Sequence, residues 1–136
     1  MKNNKNIMFG IVGVVIVLVL VSLSFTSKPT KLAGVEFVKT YTSTPDAILV
    51  DVRTPGEFTT GHIDQAINID FENPSFASEV KKLDTTKTYF VYCRSGNRSG
   101  QAISIMKSNG IENIYELSGG IISNADTLKL VTVNST

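Results

Sequence analysis

A chain of 136 residues has room for one ordinary domain, and a formal net charge of +1 with scattered charges leaves no electrostatic footprint for nucleic acid. One cysteine and one histidine exclude an intramolecular disulfide and a structural zinc site. Neither a metal nor another cofactor is expected.

The chain opens with Lys2 and Lys5 ahead of an apolar run from Ile7 to Leu23 that carries no charge. A spanning helix needs about 20 apolar residues, whereas the core of a cleaved signal needs about 7–15. Residues 1–27 therefore read as an apolar N-terminal helix, a transmembrane anchor in preference to a signal segment, with Ser22 and Ser24 leaving cleavage open. With the basic head held inside, the rest of the chain is expected outside the cytoplasm, in the periplasm or at the cell surface. Residues 28–34 read as a linker and 35–136 as the domain.

Val35–Val38 reads as a short first strand, and Ala47–Val50 as an apolar run of the kind buried in a parallel sheet. Asp51–Gly56 breaks the pattern with adjacent Pro and Gly, so a loop is expected there. Ala66–Ile69 is a third strand, and Phe76, Val80 and Leu83 are spaced for one face of a helix within 74–83. Tyr89–Tyr92 is a dense strand, Ser99–Asn109 a helix closed by Gly110, and Asn113–Leu117 a last clear strand. Leu128–Val133 alternates like a strand. Strands alternating with helices predict an α/β domain with a mainly parallel sheet. Asp51 and Cys93 each follow a strand, at the edge where such sheets bind ligands.

The residues from Cys93 to Gly100 read Cys-Arg-Ser-Gly-Asn-Arg-Ser-Gly, between a strand and a helix. Gly96 and Asn97 tolerate a sharp turn. Consecutive amides in such a turn converge on its centre, where the following helix adds the positive end of its dipole. An ordinary thiol ionises near pH 8.5 and this setting lowers that value, so Cys93 is expected as a thiolate. Arg94 and Arg98 are candidates to hold an anionic sulfur donor such as thiosulfate against it. Ser95, Gly96, Asn97 and Ser99 complete the candidate binding loop. A buried, inert cysteine is the competing reading, and it requires none of the arginines, glycine and small polar residues that follow Cys93.

Residues 93–99 resemble the active-site loop of single-domain rhodaneses. Asp51-Val52-Arg53-Thr54-Pro55, Glu57-Phe58 and Gly61-His62-Ile63 resemble their upstream signature, and Leu117-Ser118-Gly119-Gly120-Ile121 matches a third element. The resemblance covers roughly Val35 to Ile122. It implies a rhodanese-like α/β fold with a five-stranded parallel sheet flanked by helices, and sulfur transfer through a Cys93 persulfide. The six residues from Cys93 to Arg98 match the loop length that in the family goes with sulfur donors, one shorter than in related phosphatases and arsenate reductases. Asp51, Arg53 and His62 are expected to support the loop and not to react. The Gly119-Gly120 pair is expected to permit close backbone approach near the loop. Where the family usually has a tryptophan shortly after those glycines, this chain has Ser123-Asn124, and residues 123–136 match poorly.

The expected function is thus a thiosulfate sulfurtransferase that moves a sulfane sulfur from thiosulfate or a persulfide to a thiol or cyanide. Its partners are a small anionic donor and a thiol acceptor, with no nucleic acid and with the membrane contacted through the N-terminal segment. The alternative is a non-catalytic sulfur-binding or protein-interaction module on the same fold.

Overall fold

The computed structural model describes residues 28–128 and the backbone of residues 133–134. The anchor expected within residues 1–27 lies outside the described residues, and no helix among the described residues is long and apolar enough to cross a membrane.

The elements in chain order are Thr30–Leu32 (β1), Gly34–Ser43 (α1), Ile48–Asp51 (β2), Pro55–Thr59 (α2), His62–Ile63 (β3), Ile67–Asn68 (β4), Phe76–Val80 (α3), Tyr89–Tyr92 (β5), Asn97–Ser108 (α4), Ile114–Leu117 (β6), Gly120–Ser123 (α5), Ala125–Leu128 (α6) and Val133–Asn134 (β7). Five strands form a parallel sheet in the order β1-β6-β5-β2-β4. Strand β3 pairs antiparallel with β7.

The central strand β5 explains the two-sided core. Its residues alternate in direction, as strand geometry requires. Tyr89, Val91 and Cys93 join the cluster with Val80, Ala102, Ile103 and Met106 under α3 and α4, whereas Phe90 and Tyr92 join Leu49, Phe37 and Leu128 under α1 and α6. All four residues of β5 are fully buried, as expected for a strand covered on both faces.

Four sequence expectations are corrected, three of them ahead of the Cys93 loop. Val35–Val38 is not a strand but the first part of α1. Phe37 is buried while Val38 and Tyr41 pack against the same cluster, and positions 37, 38 and 41 share one helical face; a four-residue window is too short to show that period. The fifth strand of the sheet comes instead from Thr30–Leu32, inside the stretch read as a linker, where β1 pairs with β6. The loop after Asp51 contains the short helix α2. Thr54 accepts a hydrogen bond from the Glu57 amide, the Glu57 carboxylate accepts from the Thr54 amide, and Pro55 occupies the first turn. That is a capping box with an N-terminal proline.

Past the paired glycines the chain makes α5 and α6, and Leu128, expected to begin a strand, ends α6. Asn124 ties this corner together. Its Nδ2 donates to the carbonyls of Ser118 and Gly120, both at 2.8 Å, and its Oδ1 accepts from the Gly34 amide at 2.9 Å.

Candidate active site

Cys93 leaves the end of β5 and points to the α4 face of the sheet, so the loop that follows folds over its sulfur. Sγ accepts a hydrogen bond from the Gly96 amide at 3.0 Å and lies 3.4 Å from Ser99 Oγ. Gly96 caps α4 with a φ of 97°, a conformation that side chains disfavour. Helix α4 starts immediately after it, which aims the positive end of the helix dipole at the sulfur.

The thiol is buried, and burial alone raises its proton affinity. The Ser99 hydroxyl and the amides of Ser99, Gly96 and Ser95 oppose that effect, and together they bring the Cys93 pKa below its ordinary value.

The loop is braced from below by the next crossover. The Ile121 amide donates to the carbonyl of Cys93 and the Ile122 amide to that of Arg94, both at 3.0 Å, which ties the first two residues of the loop to the segment after β6. Gly120 makes this approach possible. Its φ is 63°, and a Cβ there would lie 2.5 Å from the Arg94 carbonyl oxygen.

The two loop arginines have different surroundings. Arg94 is exposed and has no ion-pair partner among the described residues. Arg98 turns to carboxylates: Nη1 and Nη2 donate to Oε2 and Oε1 of Glu57 at 2.6 and 2.8 Å, and Glu72 lies 3.3 Å from Nη1. These bonds raise the Arg98 pKa above its ordinary value and hold Glu57 down at about 2, with the Arg98 hydrogen bond as the largest cause. Ser95 and Asn97 are exposed, and Asn97 Oδ1 accepts from Gln101 Nε2 at 2.8 Å.

Asp51 pairs in register with Tyr92, so its carboxylate belongs to the sheet face opposite Cys93. There Arg53 donates from Nε and Nη2 to the Asp51 carboxylate at 2.6–3.0 Å and from Nη2 to the Gly61 carbonyl at 2.7 Å. The guanidinium also sits 5.8 Å from the centre of the Tyr92 ring, in cation–π range. This pair bridges the turn after β2 to the residue before His62. His62 stacks on Phe58 with ring centres 3.8 Å apart, and its Nδ1 lies 2.9 Å from the Phe58 carbonyl. A carbonyl only accepts, so Nδ1 carries the hydrogen.

Sequence reasoning missed Glu116. It is in register with Val91, hence on the Cys93 side of the sheet, and its Oε1 accepts from Ser99 Oγ at 2.8 Å. The available signal was a charge inside the otherwise apolar strand Ile114–Leu117, where an unpaired acid is costly.

The rhodanese-like domain family matches this chain over residues 35–123. The tRNA uridine(34) hydroxylase of Sodalis glossinidius (strain morsitans) is 36% identical over 94 residues, 66% of this chain and 27% of that protein. Uncharacterized protein YqhL of Bacillus subtilis (strain 168) is 39% identical over 74 residues, 54% of this chain and 57% of that one. The chain thus spans about a quarter of the first relative's length. The crystal structure of a rhodanese-related protein from Thermoplasma volcanium is similar with a TM-score of 0.65 and 28% identity, covering 77% of this chain and 97% of that chain. The family match runs from α1 through the Cys93 loop to the end of α5, and the parallel sheet with its strand-to-helix thiol loop agrees with it: this chain belongs to the rhodanese-like domain family.

Proposed function

We propose that the chain is a sulfurtransferase that carries a sulfane sulfur as a persulfide on Cys93. The reading is supported above all by the Gly96 amide, 3.0 Å from Sγ at the start of α4, because a thiolate held by amides and a helix terminus is an activated nucleophile. The Cys93 thiolate attacks the outer sulfur of thiosulfate. A new S–S bond forms, the S–S bond of thiosulfate breaks, and sulfite leaves with the electron pair. An acceptor thiolate or cyanide then attacks the outer sulfur of the persulfide, forming a new persulfide or thiocyanate and returning the Cys93 thiolate. The exposed Arg94 is the cation available to an anionic donor, since Arg98 is held by Glu57 and Glu72.

Incubation with thiosulfate should add the mass of one sulfur atom to Cys93, and cyanide should remove it as thiocyanate. Cys93→Ser should do neither. A folded protein that takes up no sulfur from thiosulfate or from a persulfide would leave the alternative, a non-catalytic module of the same fold. The tRNA uridine(34) hydroxylase relatives carry their named activity on much longer chains, and the near-neutral charge of this one gives no support to a tRNA substrate. Placement outside the cytoplasm depends on residues 1–27 and is tested by protease access in intact cells.

A further inference from the structure

The hydrogen bonds at Cys93 continue past the loop into the sheet. Sγ lies 3.4 Å from Ser99 Oγ, which is 2.8 Å from Oε1 of Glu116. Ser99 and Glu116 are 0% and 1% exposed. The second carboxylate oxygen, Oε2, forms an ion pair with Nζ of Lys31 at 3.2 Å and has no hydrogen-bond partner among the described residues. A buried carboxylate without a full set of donors is a costly charge.

A hydroxyl has one hydrogen to give. With Cys93 protonated and Glu116 ionised, the hydrogens run in one direction: the thiol donates to Ser99, and Ser99 donates to Glu116. Were Cys93 to ionise alone, thiolate and carboxylate would compete for the one Ser99 hydroxyl hydrogen, and two buried anions would stand one serine side chain apart. The thiolate would be held by the loop amides, and Glu116 by Lys31 alone should the hydroxyl turn to the sulfur. If the proton moves along the chain instead, each acceptor keeps a donor. Glu116 then donates to Ser99, and Ser99 donates to the thiolate.

We propose that Cys93 and Glu116 share a single proton through Ser99, with Glu116 taking it when Cys93 becomes the nucleophile. In this step the Cys93 S–H bond breaks as the Ser99 oxygen gains that proton, and the Ser99 O–H bond breaks as Glu116 Oε1 gains the other. The charge of the site is unchanged, and no oxidant or reductant is involved. Glu116 acts through Ser99 and is a positioning residue. It is faced by Lys31 from β1 and bordered at the start of α4 by Gly96 and Gly100. Arg98, itself paired with Glu57 and Glu72, also acts on Cys93 through its charge. The inference rests on Cys93 as the reactive group of the proposed sulfurtransferase.

Thiolate formation in the full chain, followed by ultraviolet absorbance and iodoacetamide rate across pH, tests this without any sulfur donor. Proton sharing and sulfur loading can therefore fail separately. The decisive variant is Lys31→Met, at a side chain that is 56% exposed. Losing the ammonium strengthens the hold of Glu116 on the shared proton, so more of the one-proton state carries the thiolate and alkylation below the inflection should be about two- to threefold faster, the size of an exposed ion-pair effect. Direct attraction between Lys31 and the thiolate would slow alkylation there when the ammonium is lost, so an unchanged or slower rate below the inflection overturns the proposal. Glu116→Gln should also lower the inflection, and its effect should be clearly smaller in a Ser99→Ala background, where the proton route is gone and only through-space repulsion remains. An equal effect in both backgrounds overturns proton sharing. Should Glu116→Gln fail to fold, the Lys31→Met result decides alone.

Discussion

Arg98 gives both of its terminal guanidinium nitrogens to Glu57, 41 positions earlier in the chain, at 2.6 and 2.8 Å. The loop that carries Cys93 is thereby fastened to α2, whose start Glu57 also caps. A residue offered by its motif as an anion ligand is thus engaged by the protein's own carboxylates.

Glu57→Gln isolates that pair, because glutamine preserves the capping box. At neutral pH the variant should be less stable by about 1 kcal/mol, a figure reduced for solvent screening of a partly exposed pair. Glu57 is depressed from 4.5 to about 2 in the folded protein, so its contribution is complete above the unfolded value and is lost as pH falls through the folded one. Urea denaturation should show the gap between the two proteins closing between about pH 4.5 and 2, and a gap independent of pH would refute the assignment.

Asp51 is fully buried and Arg53 nearly so. Arg53→Met strands a buried carboxylate, at a cost of about 3–5 kcal/mol in chemical denaturation. Adding Asp51→Asn removes the stranded charge and should restore part of that loss. A single variant as stable as the parent would contradict the bridging role.

Gly120→Ala forces a methyl group against the Arg94 carbonyl and demands a left-handed backbone, so about 1–3 kcal/mol of stability should be lost. The displaced loop should also lose its grip on the thiolate, seen as slower iodoacetamide alkylation at neutral pH. Gly56→Ala is the control, since nothing lies within 4 Å of a Cβ there and it sits in α2; it should cost no stability, helices favouring alanine over glycine, and should leave the alkylation rate unchanged.

Ser99→Ala removes the hydroxyl that helps hold the Cys93 pKa below its ordinary value. The alkylation-rate inflection should move to higher pH while the burial of Cys93 stays as it is. An inflection that remains in place would assign the lowered value to the loop amides alone.

The strands were legible because buried parallel strands are written as short apolar runs. Ile48–Asp51, Tyr89–Tyr92 and Ile114–Leu117 were each expected within a residue or so of where they lie. The thiol loop was legible for a related reason: Cys93, Gly96 and Ser99 are near neighbours in sequence, so one turn and one helix start bring their donors to the sulfur. Val35–Val38 misled because a few apolar residues suit a strand or one helical face equally well.

By itself the sequence determined the α/β alternation, the position of the thiol at a strand-to-helix turn, and the family to which the chain belongs. The tertiary structure decided which charges meet that turn. Glu57 reaches Arg98 across 41 positions and Glu116 reaches Ser99 across 17, and Lys31 meets Glu116 because β1 lies against β6. Local propensity places a residue on an element and a face, whereas the partner of a charge depends on which strands lie side by side, and strand order is set by the packing of the whole sheet.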